Sequence, residues 1–187
     1  ASGAAPFVPP AKGQWVRGAL QSVVDRIFCR EVVAFFGSGP HRNRSLCYFD
    51  VAQFPGVRGH VALTIDDAPC RLGPANSMLP EVQALLKRHA ATATFMTIGS
   101  FAQGHEKDVV ALLRDGHELG NHGWLDRPYH EASGDAFARD VEACSERIRA
   151  LQREAGVEEE VRWFRAPHGK YTETMEAVLG AKGLTNV

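Results

Sequence analysis

A chain of 187 residues with 44% hydrophobic side chains can bury one sizeable core with extensions, and it is too short for two full domains. Its 21 lysines and arginines nearly balance its 22 aspartates and glutamates, leaving a net charge of -1, which argues against a nucleic-acid binder with its usual basic excess. No apolar run is long enough to span a bilayer, and the four cysteines (Cys29, Cys47, Cys70, Cys144) form no CxxC pair, which argues against a zinc ribbon or a thioredoxin motif.

The chain begins Ala1-Ser2-Gly3 without a methionine, which reads as a processed form and fits a secreted or organellar protein. The proline- and glycine-rich stretch 1–13 predicts an extended arm. Over 14–36, Val16, Leu20, Val23 and Ile27 fall on one stripe that Val24, Phe28, Val32 and Phe35 widen. That pattern predicts an amphipathic helix, packed on its own domain or docked on a protein partner or a membrane surface. A loop over 37–44, a strand over 45–51 and a turn through Pro55 and Gly56 complete an N-terminal segment, 1–59. The main domain is expected over 60–187.

That domain opens on HVALTIDDAP (60–69), a short apolar run stopped by two adjacent carboxylates and a proline. It reads as a buried strand with Asp66 and Asp67 at its end. Two neighbouring carboxylates repel, and placing them together favours a site with a cation over a packing accident. Beyond it, helices are predicted over 80–89, 106–114, 135–155 and 172–182, with Gly116 and Gly156 as stops. Strands are predicted over 93–98, 118–122, 161–165 and 184–187. Alternation of this kind predicts an α/β fold with a parallel sheet or barrel and right-handed crossovers.

In parallel α/β folds, chemistry gathers at the C-terminal ends of the strands. Those ends carry Asp66-Asp67, Asn121-His122 with Asp126 four residues on, and Arg165 followed by Pro167, His168 and Gly169. Carboxylate and imidazole donors converging on one rim suit a divalent metal, zinc first, with cobalt, nickel or manganese as alternatives. Asp126 also reads as a turn cap before Arg127-Pro128, and Trp124 reads either as a sugar-stacking platform or as core.

Three motifs carry a resemblance. TIDDAP (64–69), ELGNH (118–122) and RAPHG (165–169) occur in the order and spacing of the polysaccharide deacetylases, the NodB-homology or carbohydrate esterase family 4 group. ATATFMTIG (91–99) and DGHELGNH (115–122) resemble the same family. The resemblance implies a distorted (β/α) barrel of the NodB-homology type, incomplete toward the C-terminus and carrying the N-terminal helical extension. It implies a metal-dependent hydrolase that removes acetyl groups from an N-acetylated glycan such as chitin or peptidoglycan. By the same resemblance Asp66 is the general base, Asp67 and His122 are metal ligands, and Arg165 pairs with and orients the base. Pro167 and Gly169 form one wall of the substrate groove.

The sequence departs from the family pattern at Asp126, which stands where a second histidine ligand is usual, at Gly123 in place of a small hydroxyl residue, and at Ala68 in place of glycine. The family's fourth and fifth motifs, the latter with the general-acid histidine, have no match before Val187. Nothing in the spacing assigns that role to His130 or His168. Five or six strands fall short of the eight of a full barrel, so the alternative is a deacetylase-like subunit with a structural role. Its partner would meet the 14–36 helix or the open barrel edge.

Overall fold

The computed structural model describes residues 54–187. The expected arm, amphipathic helix, loop and strand over 1–53 lie outside the described residues. Five strands, β1 (Thr64–Ala68), β2 (Thr94–Thr97), β3 (Glu118–Asn121), β4 (Trp163–Phe164) and β5 (Thr185–Asn186), alternate with four helices. The helices are α1 (Leu79–Arg88), α2 (Glu106–Arg114), α3 (Gly134–Ala155) and α4 (Glu173–Ala181). Every predicted element of 60–187 is present. The strand expected over 161–165 shrinks to two ladder residues.

All four strand pairings are parallel, and the spatial order β1-β2-β3-β4-β5 is the sequence order. Right-handed crossovers between sequence neighbours put every connecting helix on the same face of a sheet. A doubly wound sheet reverses its order and places helices on both faces. The unreversed order is therefore the barrel type of α/β architecture, here with five strands among the described residues. The helices follow the strands, with α1 against α2, α2 against α3 and α3 against α4.

The core lies between sheet and helices in two clusters. Phe95, Leu119, Leu86, Val109, Leu112 and Leu113 pack in one, and Phe164, Met175, Leu179 and Tyr129 in the other. The 22-residue α3 serves both: Cys144, Ile148 and Leu151 enter the first, Phe137 and Val141 the second. Phe137 meets Phe164 edge-on, ring centroids 5.5 Å apart, and Tyr129 at the same distance. Each such side chain contributes about 1.5–3 kcal/mol by leaving water. Ser133 caps α3 by accepting from the Ala136 amide at 3.3 Å, and Thr172 caps α4 by accepting from Met175 at 3.3 Å.

The opening strand differs from its reading. It is β1, Thr64–Ala68, so the aspartates lie inside the strand, and Val61 ahead of it is 90% exposed. Thr64 faces Thr94 and Ile65 faces Phe95, but the next partner pair is Ala68 with Thr97. Three steps on β1 match two on β2, so the strand carries a bulge at the aspartate pair. Asp67 takes a left-handed φ of 58° there. Aspartate tolerates that region better than most side chains. In a regular strand, adjacent side chains point to opposite faces; the bulge breaks that alternation, and both carboxylates are exposed. Among the described residues no helix is long and apolar enough to cross a membrane.

Candidate active site

Arg165, just past β4, ties the strand ends together. Its amide donates to the Asn121 carbonyl of β3 at 3.0 Å. Its guanidinium reaches across the sheet to β1, where Nη1 donates to Thr64 Oγ1 at 2.9 Å and to Asp66 Oδ1 at 2.7 Å, while Nε donates to the Val187 carbonyl at 3.2 Å. The pairing of Arg165 with Asp66 expected from sequence is thus present. Both side chains are partly exposed, so the pair adds little to stability. Its effect is to aim one carboxylate oxygen. Asp66 Oδ2 makes no hydrogen bond among the described residues.

His122 follows β3 and is buried. Its Nδ1 lies 2.7 Å from the Arg165 carbonyl. A carbonyl only accepts, so that bond places a proton on Nδ1 and leaves the Nε2 lone pair free. Nε2 points at Asp67 Oδ1, 3.5 Å away. A histidine oriented through one nitrogen by a backbone carbonyl, with the other nitrogen beside a carboxylate, is a ready pair of metal donors. Asp67 and His122 therefore fit a divalent cation.

Asp126 does not complete the set. Its Oδ2 pairs with Arg71 of the 69–78 loop, and its Oδ1 lies 3.3 Å from His168 Nε2. Among the described residues no three histidine, cysteine, aspartate or glutamate side chains gather closely enough to hold an ion. The reason lies in how 123–127 is pinned. The Gly99 amide donates to the Gly123 carbonyl at 2.9 Å and the Ser100 amide to the Trp124 carbonyl at 3.0 Å. Tyr129 Oη accepts from the Leu125 amide at 3.1 Å and donates to its carbonyl at 3.0 Å. Burial pushes the Tyr129 phenol up to about 12, so it stays protonated as that donor.

The same packing explains Gly123. Its φ is +85°, and a Cβ there would stand 2.8 Å from Tyr129 Cε2 and 2.9 Å from its Oη. Gly123→Ser, which puts a hydroxyl residue at that family position, is expected to destabilise the chain by about 1–3 kcal/mol. Equilibrium urea unfolding of the variant beside wild type measures it.

Trp124 is half-buried, and its ring edge lies on the Gly99 backbone, where an added Cβ would meet Cε3 at 2.5 Å. One edge is thereby packing, in line with its reading as core. Pro167–Gly169 forms a tight turn with left-handed φ of 60° at His168 and 68° at Gly169; Pro167 is buried and Gly169 exposed. Cys144 lies under the rim, donating from Sγ to the Thr97 carbonyl at 3.3 Å, and burial pushes its thiol up to about 12. It is packing, not a ligand. Cys70 and Cys144 are both free thiols.

Sequence reasoning gave no role to four contributors: Thr64, the Val187 carbonyl, Asn121 and Arg71. Thr64 and the Val187 carbonyl hold Arg165. Asn121, fully buried, accepts from the Gly123 amide at 2.8 Å and donates to the Val141 carbonyl and Ser145 Oγ at 2.8 and 2.9 Å, anchoring the loop after His122 to α3. A polar residue closing the strand, next to His122, was the available signal for Asn121. Arg71 had none, because its partner is 55 residues away.

The chain resembles known proteins in sequence and in fold. A chitooligosaccharide deacetylase from Azorhizobium caulinodans is 30% identical over 136 residues, covering 73% of this chain and 60% of its own length. Another, from Sinorhizobium fredii, is 33% identical over 127 residues, covering 68% of this chain and 55% of its own. The structure of a family 4 carbohydrate esterase from Streptomyces lividans, in complex with acetate, matches with a TM-score of 0.59 at 24% identity, over 70% of this chain and 62% of that one. The chain spans less than two thirds of the length of each. A sequence model described as polysaccharide deacetylase matches residues 55–187. That match runs through all three motifs, from Asp66 to Gly169, and the chain belongs to the polysaccharide deacetylase family.

Proposed function

We propose that this chain carries the base-and-ligand half of a glycan N-deacetylase, hydrolysing the acetamide of N-acetylglucosamine units to acetate and a free amine. The observation that supports it most is the pairing of Arg165 with Asp66 beside the His122–Asp67 pair, all at the C-terminal rim of the sheet. Asp66 takes a proton from the attacking water through Oδ2, while Arg165 holds Oδ1 in place. Water oxygen adds to the acetyl carbon, the C–N bond breaks, and the amine leaves with the proton that Asp66 took. A divalent ion held by Asp67 and His122, zinc by the chemistry of the donors, would polarise the acetyl carbonyl and acidify water. Pro167 and Gly169 border the groove, and the exposed part of Trp124 faces the sugar.

Chitooligosaccharide is the substrate favoured by the two curated relatives. The test is acetate release from chitin oligomers and from N-acetylated peptidoglycan, with zinc, cobalt, nickel or manganese supplied. Release of acetate and free amine in equal amounts supports the reading, and no release with any of the metals overturns it. The second reading, a deacetylase-like subunit with a structural role, draws on the ion pairs that occupy Asp126. Zinc binding without acetate release selects it.

A further inference from the structure

We propose that Asp126 is a positioning residue of the substrate groove: its carboxylate ties the 69–78 loop to the Pro167–Gly169 turn and so sets the gap in which the glycan lies. The proposal rests on the deacetylase reading, which makes the Pro167–Gly169 turn one wall of that groove.

The two segments flank one site. Arg165, just past β4, reaches Thr64 and Asp66 on β1, so the chain leaving those two strands borders the same pair of side chains. Each segment is otherwise tied mostly to itself. Within the 69–78 loop, Asn76 Nδ2 donates to the Leu72 carbonyl at 3.2 Å and the Asn76 amide to the Gly73 carbonyl at 3.1 Å. Among the described residues, Arg71 makes the loop's only hydrogen bond beyond itself and helix α1, and the acceptor is Asp126 Oδ2. In the turn, the Gly169 amide donates back to the Ala166 carbonyl at 3.0 Å. His168 reaches outward, with Nε2 3.3 Å from Asp126 Oδ1.

Asp126 is the fixed point between them. Its side chain is only 15% exposed, and the segment that carries it is pinned by Gly99, Ser100 and Tyr129. Arg71 and His168 are at least half-exposed, so each gains a partner whose place is already set. A carboxylate has two oxygens and accepts from both arms at once; a neutral imidazole, with one accepting nitrogen, could not. Aspartate in place of the family's usual histidine thus suits this task. His168 carries an independent sign of the same tie. It holds a left-handed φ of 60°, which a residue with a Cβ adopts at a cost and keeps where neighbouring contacts hold it. Its contact with Asp126 is such a hold. Walls already at their working distance need no ordering when the glycan arrives, and the gain shows in binding rather than in the chemical step.

The experiment measures kcat and KM for acetate release from chitin oligomers, together with amide hydrogen exchange, in wild type and four variants. Arg71→Ala and His168→Ala are each expected to raise KM about two- to fivefold with kcat nearly unchanged, and Asp126→Ala about five- to tenfold. Arg71→Ala added to Asp126→Ala should raise KM no further, because the partner is already gone. His168→Gln, which places a donor near the position of Nε2, should recover most of what His168→Ala loses. Amides of the 69–78 loop should exchange several-fold faster in Arg71→Ala and Asp126→Ala. Circular dichroism confirms that each variant is folded, and Arg71→Ala, at an exposed side chain, keeps the test open if Asp126→Ala is not. A fall in kcat at unchanged KM, unchanged exchange in the loop, or a loss of zinc affinity of about tenfold or more in Asp126→Ala overturns the positioning role and leaves the deacetylase reading standing. Absence of acetate release by wild type overturns the deacetylase reading, and the groove falls with it whatever the exchange rates show.

Discussion

Asp66→Asn is expected to lower acetate release from chitin oligomers by about 10²–10⁴-fold, the range a positioned general base contributes. The substitution keeps the shape of the side chain and an oxygen that can accept from Arg165, so the tie from β4 to β1 persists. What it removes is the second oxygen's capacity to take a proton, and Oδ2 is the oxygen that no other described group occupies. The folded state should barely register the change, because the Arg165–Asp66 pair is partly exposed on both sides and Thr64 and Val187 still hold the guanidinium. Zinc affinity should also stay close to wild type, since Asp67 and His122 carry the donors. Initial rates, melting temperature and zinc affinity of one protein preparation separate these effects. A variant that releases acetate at the wild-type rate would remove Asp66 from the role of base.

Much of this was legible in the residues because it depends on local order. Helices α2 and α3 follow from their apolar spacing and from the stops at Gly116 and Gly156, which do take left-handed φ. The parallel sheet follows from alternation, and the rim follows from which residues end each strand. What was not legible depends on events between distant segments. The bulge at Asp66-Asp67 is a mismatch of steps between β1 and β2, and nothing within 60–69 encodes the count on the partner strand. Val61 and Leu63, read as buried, are exposed because regular pairing starts only at Thr64. Asp126 at four residues after His122 has the spacing of a ligand, but spacing along a loop does not fix direction. Tyr129, Gly99 and Ser100 set that direction, and Arg71 and His168 receive the carboxylate. Gly123 is a departure from the family pattern with a local cause. It is a packing requirement imposed by a tyrosine six residues later.

The loop that carries His122 depends on Asn121, and Asn121→Ala is expected to cost about 3–4 kcal/mol of stability. The wild-type amide has no exposure and satisfies three groups at once: the Gly123 amide, the Val141 carbonyl and Ser145 Oγ. Truncation strands the buried Gly123 N–H without an acceptor, which alone costs about 1–3 kcal/mol, and it opens a cavity between β3 and α3 that rigid neighbours fill only in part. The consequence reaches the site because His122 is the next residue. Its Nδ1 is aimed by the Arg165 carbonyl, and its backbone is aimed by the tie of β3 to α3 that Asn121 makes. Loss of such a supporting contact typically lowers metal affinity about 10–100-fold. Asn121→Asp sharpens the case. It keeps the oxygen that accepts from Gly123 but sets a carboxylate against the Val141 carbonyl, and it should destabilise at least as much as alanine. Urea unfolding and zinc titration of the two variants check both effects. Stability within about 1 kcal/mol of wild type with unchanged zinc binding would mean that the Arg165 bond alone orients His122.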